Sequence, residues 1–152
     1  MSRIAYTAAQ VFDGESLAAG RAVVVEAGLV HGVTDRAGLG SVIPLHDLGN
    51  VILAPGFVDC QVNGGGSVML NDDPSMSAIE MIIAAHGQYG TTSLLPTLIT
   101  DTPEVTARTV DAAIAAERKG LSGFAGLHLE GPHLSVKRPG AHDPKLIRPM
   151  TG

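Results

Sequence analysis

Leu127-His128-Leu129-Glu130-Gly131-Pro132 decides how this chain is read, because an apolar stretch delivers one carboxylate, Glu130, directly before a break. Phe124, Leu127 and Leu129 are interleaved with small residues in the manner of a buried strand. Gly131-Pro132 stops that strand, since proline can continue neither a helix nor a central ladder. Glu130 is therefore expected at a strand's C-terminal end, where ligands and catalytic groups collect in parallel α/β folds. Taken alone, an acid at such a junction is solvated or paired with a neighbour such as Lys137 or Arg138, since most acids are exposed. The rest of the chain supplies the context that favours a functional reading.

Upstream of this strand, the pattern predicts alternating strands and helices. Phe57 to Asn63 reads as a strand ending in Gly64-Gly65-Gly66. A helix follows from Pro74, with Asp73 as N-cap, proline at the first position, and Met76, Ile79, Ile82 and Ile83 on one face. Gly90 ends it, and Thr91 to Leu95 is a β-branched, apolar strand closed by Pro96. A second helix starts at Pro103 behind Thr102, with Ala107, Val110 and Ile114 at helical spacing, and runs out near Lys119-Gly120. Each strand and helix unit takes a little over ~30 residues, the size of a βα repeat in a parallel sheet. The crossover rule then places the strand C-termini on one edge. Gln61 and Asn63, two residues apart, share a face at that edge. His142 lies in the loop beyond Glu130 and is expected to fold back over it. His128 shares the face of Glu130 and is read as a buried polar partner ahead of a ligand.

Residues before about 50 differ in character. Ile4 to Val11, Arg21 to Val25 and Leu29 to Val33 are short strand-like runs, with turn signals at Asp13-Gly14, Ala19-Gly20 and Ala27-Gly28. They predict a small β module of hairpins over 1–50, followed by a separate α/β unit over 51–152. Hydrophobic residues make up 45% of the 152 and charged residues only 16%, enough apolar material for a real core. A net charge of −5 without a Lys/Arg cluster argues against nucleic acid and anionic membranes as partners. The one cysteine, Cys60, excludes an internal disulfide framework and is expected to be a small buried hydrophobe. With no signal-peptide pattern and no run near the ~20 apolar residues of a membrane span, a soluble, cytoplasmic protein is expected.

Leu53-Ala54-Pro55-Gly56-Phe57-Val58-Asp59 resembles the opening of the first barrel strand in the amidohydrolase superfamily. Gln61-Val62-Asn63-Gly64, Leu95-Pro96-Thr97-Leu98-Ile99-Thr100, the Glu130 motif and Gly140-Ala141-His142 narrow the resemblance to the N-acetylglucosamine-6-phosphate deacetylases. The similarity covers the chain after residue 50 and, less securely, the β module. It implies an α/β fold: an incomplete (β/α)8 TIM-type barrel of about three βα units, preceded by a small β-sandwich module. A full barrel takes about 250 residues, so the chain is expected to be the N-terminal portion of a longer deacetylase, inactive alone.

The resemblance also implies roles. Glu130 matches the glutamate that directly ligates one divalent metal, zinc or alternatively iron. His142 matches the histidine that polarises the scissile amide carbonyl, and Ala141 contacts the amino sugar through its backbone. Gln61 and Asn63 stand where many amidohydrolases place two histidines for a second metal, and amides are poor zinc ligands, so no second metal is expected. The other ligands and the general-base aspartate lie outside this chain. His133 is read as loop structure. The implied reaction is hydrolysis of N-acetylglucosamine 6-phosphate to glucosamine 6-phosphate and acetate by a homodimer. The alternatives are an amidohydrolase acting on another amide or a nucleobase, and an inactive fragment or association module.

Overall fold

The computed structural model describes residues 3–150, and the chain divides into two compact units between Pro55 and Gly56. The first unit contains β1 (Arg3–Thr7), β2 (Gln10–Phe12), β3 (Leu17–Ala18), β4 (Arg21–Glu26), β5 (Leu29–Asp35), β6 (Leu45–Asp47) and β7 (Ile52–Leu53). Two sheets result, one ordered β5-β4-β1-β6 and the other β3-β2-β7. Period-two alternation buries Ala5 and Thr7 of β1 with Ala22 and Val24 of β4. The turn between β4 and β5 places Ala27 and Gly28 at φ 52° and 81°, the left-handed pair that a two-residue hairpin needs.

Two expectations for this unit are corrected. The run Ile4 to Val11 is two strands parted at Ala8-Ala9, because β1 pairs with β4 and β6 whereas β2 pairs with β3 and β7. Hairpins account for β2–β3 and β4–β5, but β6 joins β1 and β7 joins β2 in parallel. The pairing of β7 with β2 explains why the division between units falls after Pro55.

The second unit contains β8 (Phe57–Val62), β9 (Gly64–Gly65), β10 (Val68–Met69), α1 (Met76–Gly87), β11 (Thr91–Ile99), α2 (Pro103–Lys119) and β12 (His128–Glu130). Strands β8, β11 and β12 form a parallel sheet in the order β12-β11-β8, with a helix in each connection. Their C-terminal ends therefore lie on one edge. The core joins Val62, Leu94 and Leu98 from the sheet to Ile79 and Ile82 of α1 and Ala112 and Ala116 of α2, with Leu70 completing it. Strands β9 and β10 pair antiparallel as a small ribbon after β8. No helix among the described residues is long and apolar enough to cross a membrane.

Four details differ from the sequence reading. Ser75, rather than Asp73, caps α1, its hydroxyl accepting the Ala78 N–H at 3.1 Å, and Pro74 falls before the helix. Strand β11 runs through Pro96 to Ile99. The register to β8 shifts between Leu94 and Pro96, and such an irregularity accommodates a residue without an N–H. The buried face of α2 is Thr109, Ala112, Ala113 and Ala116, while Ala107 and Ile114 are exposed. Small side chains let this helix sit against the core, and an apolar count that favours large residues selects the wrong stripe. Cys60 is exposed, because β8 is the outermost strand of its sheet and Phe57 and Val58 beside it are exposed too.

Candidate functional site

The parallel ladder decides which side chains meet. Ile99 of β11 is in register with Glu130 of β12, and Thr97 with His128. Pro96 of β11 is in register with Val62 of β8. Gln61, Thr100 and Glu130 thus emerge at the C-terminal edge from three adjacent strands. Beyond β12 the chain makes consecutive turns, closed by Leu134 N–H to Pro132 O, Arg138 N–H to Ser135 O and His142 N–H to Pro139 O. These turns return His142 to the edge.

Glu130 is the centre of the cluster. Gln61 Nε2 donates to its Oε2 at 2.7 Å, and His142 Nε2 lies 3.3 Å from Oε1. The His142 side chain is only 8% exposed, whereas that of Glu130 is 32% exposed, so the carboxylate retains access from solvent. Thr100 lies on the other side of the imidazole. Its backbone N–H donates to His142 Nδ1 at 3.3 Å, and its hydroxyl is 2.9 Å from the same nitrogen. Neither Lys137 nor Arg138 is among the polar partners of Glu130 in the described residues.

Behind the edge, a second layer holds the strands in place. The buried Thr97 hydroxyl accepts the Val62 N–H at 3.0 Å and lies 3.2 Å from His128 Nδ1. Half-buried His128 is thus tied to β11, and Glu130 is not among its polar partners in the described residues. Asn71 uses its amide as a strand would, donating to Ile99 O at 3.2 Å and accepting Ile99 N–H at 3.3 Å. It also donates to Asp101 at 2.7 Å. His86 on α1 bonds Gly64 O at 2.9 Å and secures the loop after β8.

Of the residues singled out in the sequence, the structure gathers Gln61, Glu130 and His142. Asn63 accepts the Leu70 N–H with its carbonyl oxygen and is not a partner of Glu130. Ala141 is exposed beside His142. His133 bonds Arg148 O through Nδ1 at 3.0 Å, within the loop. Thr100 is a member of the site that sequence reasoning misses, because Pro96 reads as the end of its strand; the apolar and β-branched residues Thr97, Leu98 and Ile99 are the available signal that the strand continues.

The donor chemistry of the cluster suits a divalent cation in one respect. A carboxylate is an ordinary zinc ligand, and Glu130 is accessible with its two oxygens oriented by neighbours. Among the described residues, no three His, Cys, Asp or Glu side chains converge closely enough to hold a metal ion. Glu130 is therefore chemically suited to be one donor to a divalent cation, and the described residues supply no set of three such donors.

No protein-family model matches the chain. Curated relatives do. The chain is 44% identical over 108 residues to the N-acetylgalactosamine-6-phosphate deacetylase of Shewanella sp. (strain ANA-3), covering 71% of this chain and 27% of that protein. It is 36% identical over 130 residues to the N-acetylglucosamine-6-phosphate deacetylase of Haemophilus influenzae, covering 86% of this chain and 34% of the relative. Among solved structures, the N-acetylglucosamine-6-phosphate deacetylase of Pasteurella multocida superposes over 98% of this chain and 39% of its own, with a TM-score of 0.88 and 31% identity. The chain spans between about a quarter and two fifths of the length of these proteins. By sequence and by fold, the chain is similar to the N-terminal part of N-acetylglucosamine-6-phosphate deacetylases.

Proposed function

We propose that these residues are the first part of an enzyme that hydrolyses N-acetylglucosamine 6-phosphate to glucosamine 6-phosphate and acetate. The observation that carries this reading is the convergence of Gln61, Glu130 and His142 at the C-terminal edge of three adjacent parallel strands, where parallel α/β enzymes assemble their sites. On this reading the second unit is an incomplete (β/α)8 barrel and the first is part of a β-sandwich module. The whole enzyme is a cytoplasmic homodimer.

Glu130 would hold one divalent metal, zinc with iron as the alternative, and Gln61 and Asn63 would hold none. Such an ion supplies acidified water and a polarised amide carbonyl. The chain's own residues orient the groups around it. Gln61 anchors Oε2 through its amide, while His142 Nε2 faces Oε1, so both oxygens are oriented by neighbours. His142 aims Nε2 at the space beside Oε1, where a proton donor stabilises charge developing on a carbonyl oxygen. Ala141, exposed next to His142, would present its backbone to the sugar.

The 44% identical relative carries the galacto name, so the 4-epimer is the second substrate to test. The experiment supplies the C-terminal segment of a relative to this chain and follows acetate release from both 6-phosphates. Hydrolysis of the gluco compound, abolished by Glu130→Gln, is the expected result. Association without hydrolysis of either compound would overturn the reading, and hydrolysis of the galacto compound alone would reassign the substrate.

A further inference from the structure

The two neighbours of the His142 ring have fixed hydrogen-bonding roles. A backbone N–H can only donate, so the Thr100 amide, 3.3 Å from Nδ1, requires a lone pair on that nitrogen. An ionised carboxylate can only accept, so Glu130 Oε1, 3.3 Å from Nε2, requires a proton there. Both ends of the ring demand the same tautomer. The Thr100 hydroxyl is the one group free to rotate. It lies 2.9 Å from Nδ1 and 3.3 Å from Glu130 O, and donation to the nearer Nδ1 would complete the arrangement.

Burial makes the arrangement consequential. Thr100 is 6% exposed and the His142 side chain 8%, so water has little room to replace either donor on Nδ1. We propose that Thr100 is a positioning residue for this site, holding His142 as the Nε2–H tautomer so that the ring presents a proton donor beside Glu130. A deacetylase gains from this because a neutral imidazole with its proton on Nε2 can hydrogen-bond a carbonyl oxygen, whereas the other tautomer would offer it a lone pair. This deepens the proposed function and rests on it for its catalytic meaning, but the tautomer itself is a property of the chain.

The test is 15N NMR of the full chain labelled at histidine, with the ring neutral and the His142 signals assigned by their loss in His142→Gln. The expected pattern has protonated Nε2 and unprotonated Nδ1, the latter shifted upfield by its hydrogen bonds. Thr100→Val removes the hydroxyl and keeps the amide, so Nδ1 is expected to move downfield with the tautomer retained; Thr100→Ser is expected to restore the original position. Circular dichroism on each variant confirms that it is folded. A protonated Nδ1 in the unaltered chain, or an Nδ1 signal that Thr100→Val leaves in place, would overturn the proposal. If the tautomer is as stated but the complemented enzyme releases no acetate, the functional reading fails and the positioning role of Thr100 stands as geometry only.

Discussion

At the scale of single residues, the site depends on how closely backbone can approach a side chain. Gly131 follows Glu130 at φ 96°, and a Cβ built there would lie 2.0 Å from Thr100 Oγ1 and 3.3 Å from Thr100 Cβ. Glycine answers both requirements at once, the left-handed backbone and the close approach. Gly131→Ala is expected to cost at least about 1–2 kcal/mol from the backbone term alone, read as a lower midpoint in urea unfolding. Because the displaced group is the hydroxyl that meets His142 Nδ1, the same substitution should also move the His142 nitrogen signals. An unchanged midpoint would mean that the turn after β12 does not hold the conformation described. Glu130 is legible in the sequence because the strand and helix pattern upstream of it puts this acid at the same edge as Gln61 and the loop that carries His142. Thr100 is not, because its role comes from a partner 42 residues away, and nothing local in Ile99-Thr100-Asp101 announces that contact.

At the scale of elements, the caps carry measurable stability. Thr102 Oγ1 accepts the Val105 N–H at 3.2 Å at the start of α2, while Gly120 at φ 63° closes its end. Thr102→Ala is expected to destabilise the second unit by about 1 kcal/mol, with Thr102→Ser recovering most of it; equal midpoints for the alanine variant and the parent chain would contradict the cap. In the first unit, two turns carry carboxylates held below their ordinary range. Asp13 accepts the backbone N–H groups of Ser16 and Glu15, and Asp47 accepts the Gly49 N–H and pairs with Arg36. A carboxyl more acidic in the folded than in the unfolded chain stabilises the fold above the unfolded value of about 3.9. That contribution is lost as pH falls through the lowered folded value. The first unit should therefore weaken on acidification below about pH 4, and replacing both residues by asparagine should flatten this part of the profile in thermal melts from pH 6 to pH 3. An undiminished slope in the double variant would assign the acid sensitivity to other groups. The helices show what sequence periodicity can convey. The large residues Ile79 and Ile82 mark the buried face of α1 correctly, but the core face of α2 consists of alanines and Thr109. Hydrophobic spacing cannot distinguish such a face from a solvated alanine stripe. Pro96 misleads for a related reason: a proline limits ladder bonding, and whether a register shift accommodates it is decided by the facing strand.

At the scale of the whole molecule, the sheet of the second unit leaves β8 outermost, and Phe57 and Val58 on it are 68% and 67% exposed. An exposed apolar edge is a template for pairing with another strand. Its occupant in the proposed barrel would be a later strand of the same fold, so complementation and self-association should compete for one surface. Cys60, exposed on the same strand, belongs to this surface as well, which is why reading it from its size alone places it in the core. Val58→Lys puts a charge on the edge without touching the buried cluster around Leu94, and a surface change of this kind is expected to alter stability by no more than about 0.5 kcal/mol. Light scattering over a concentration series should show less self-association for the variant than for the parent chain. Mixing with the C-terminal segment of a relative should show weaker capture and lower acetate release. Unchanged scattering together with unchanged capture would place the associating surface away from β8. A loss of scattering with capture intact would mean that copies of this chain use the edge but the complementary segment does not, and closure of the sheet through β8 would have to be abandoned.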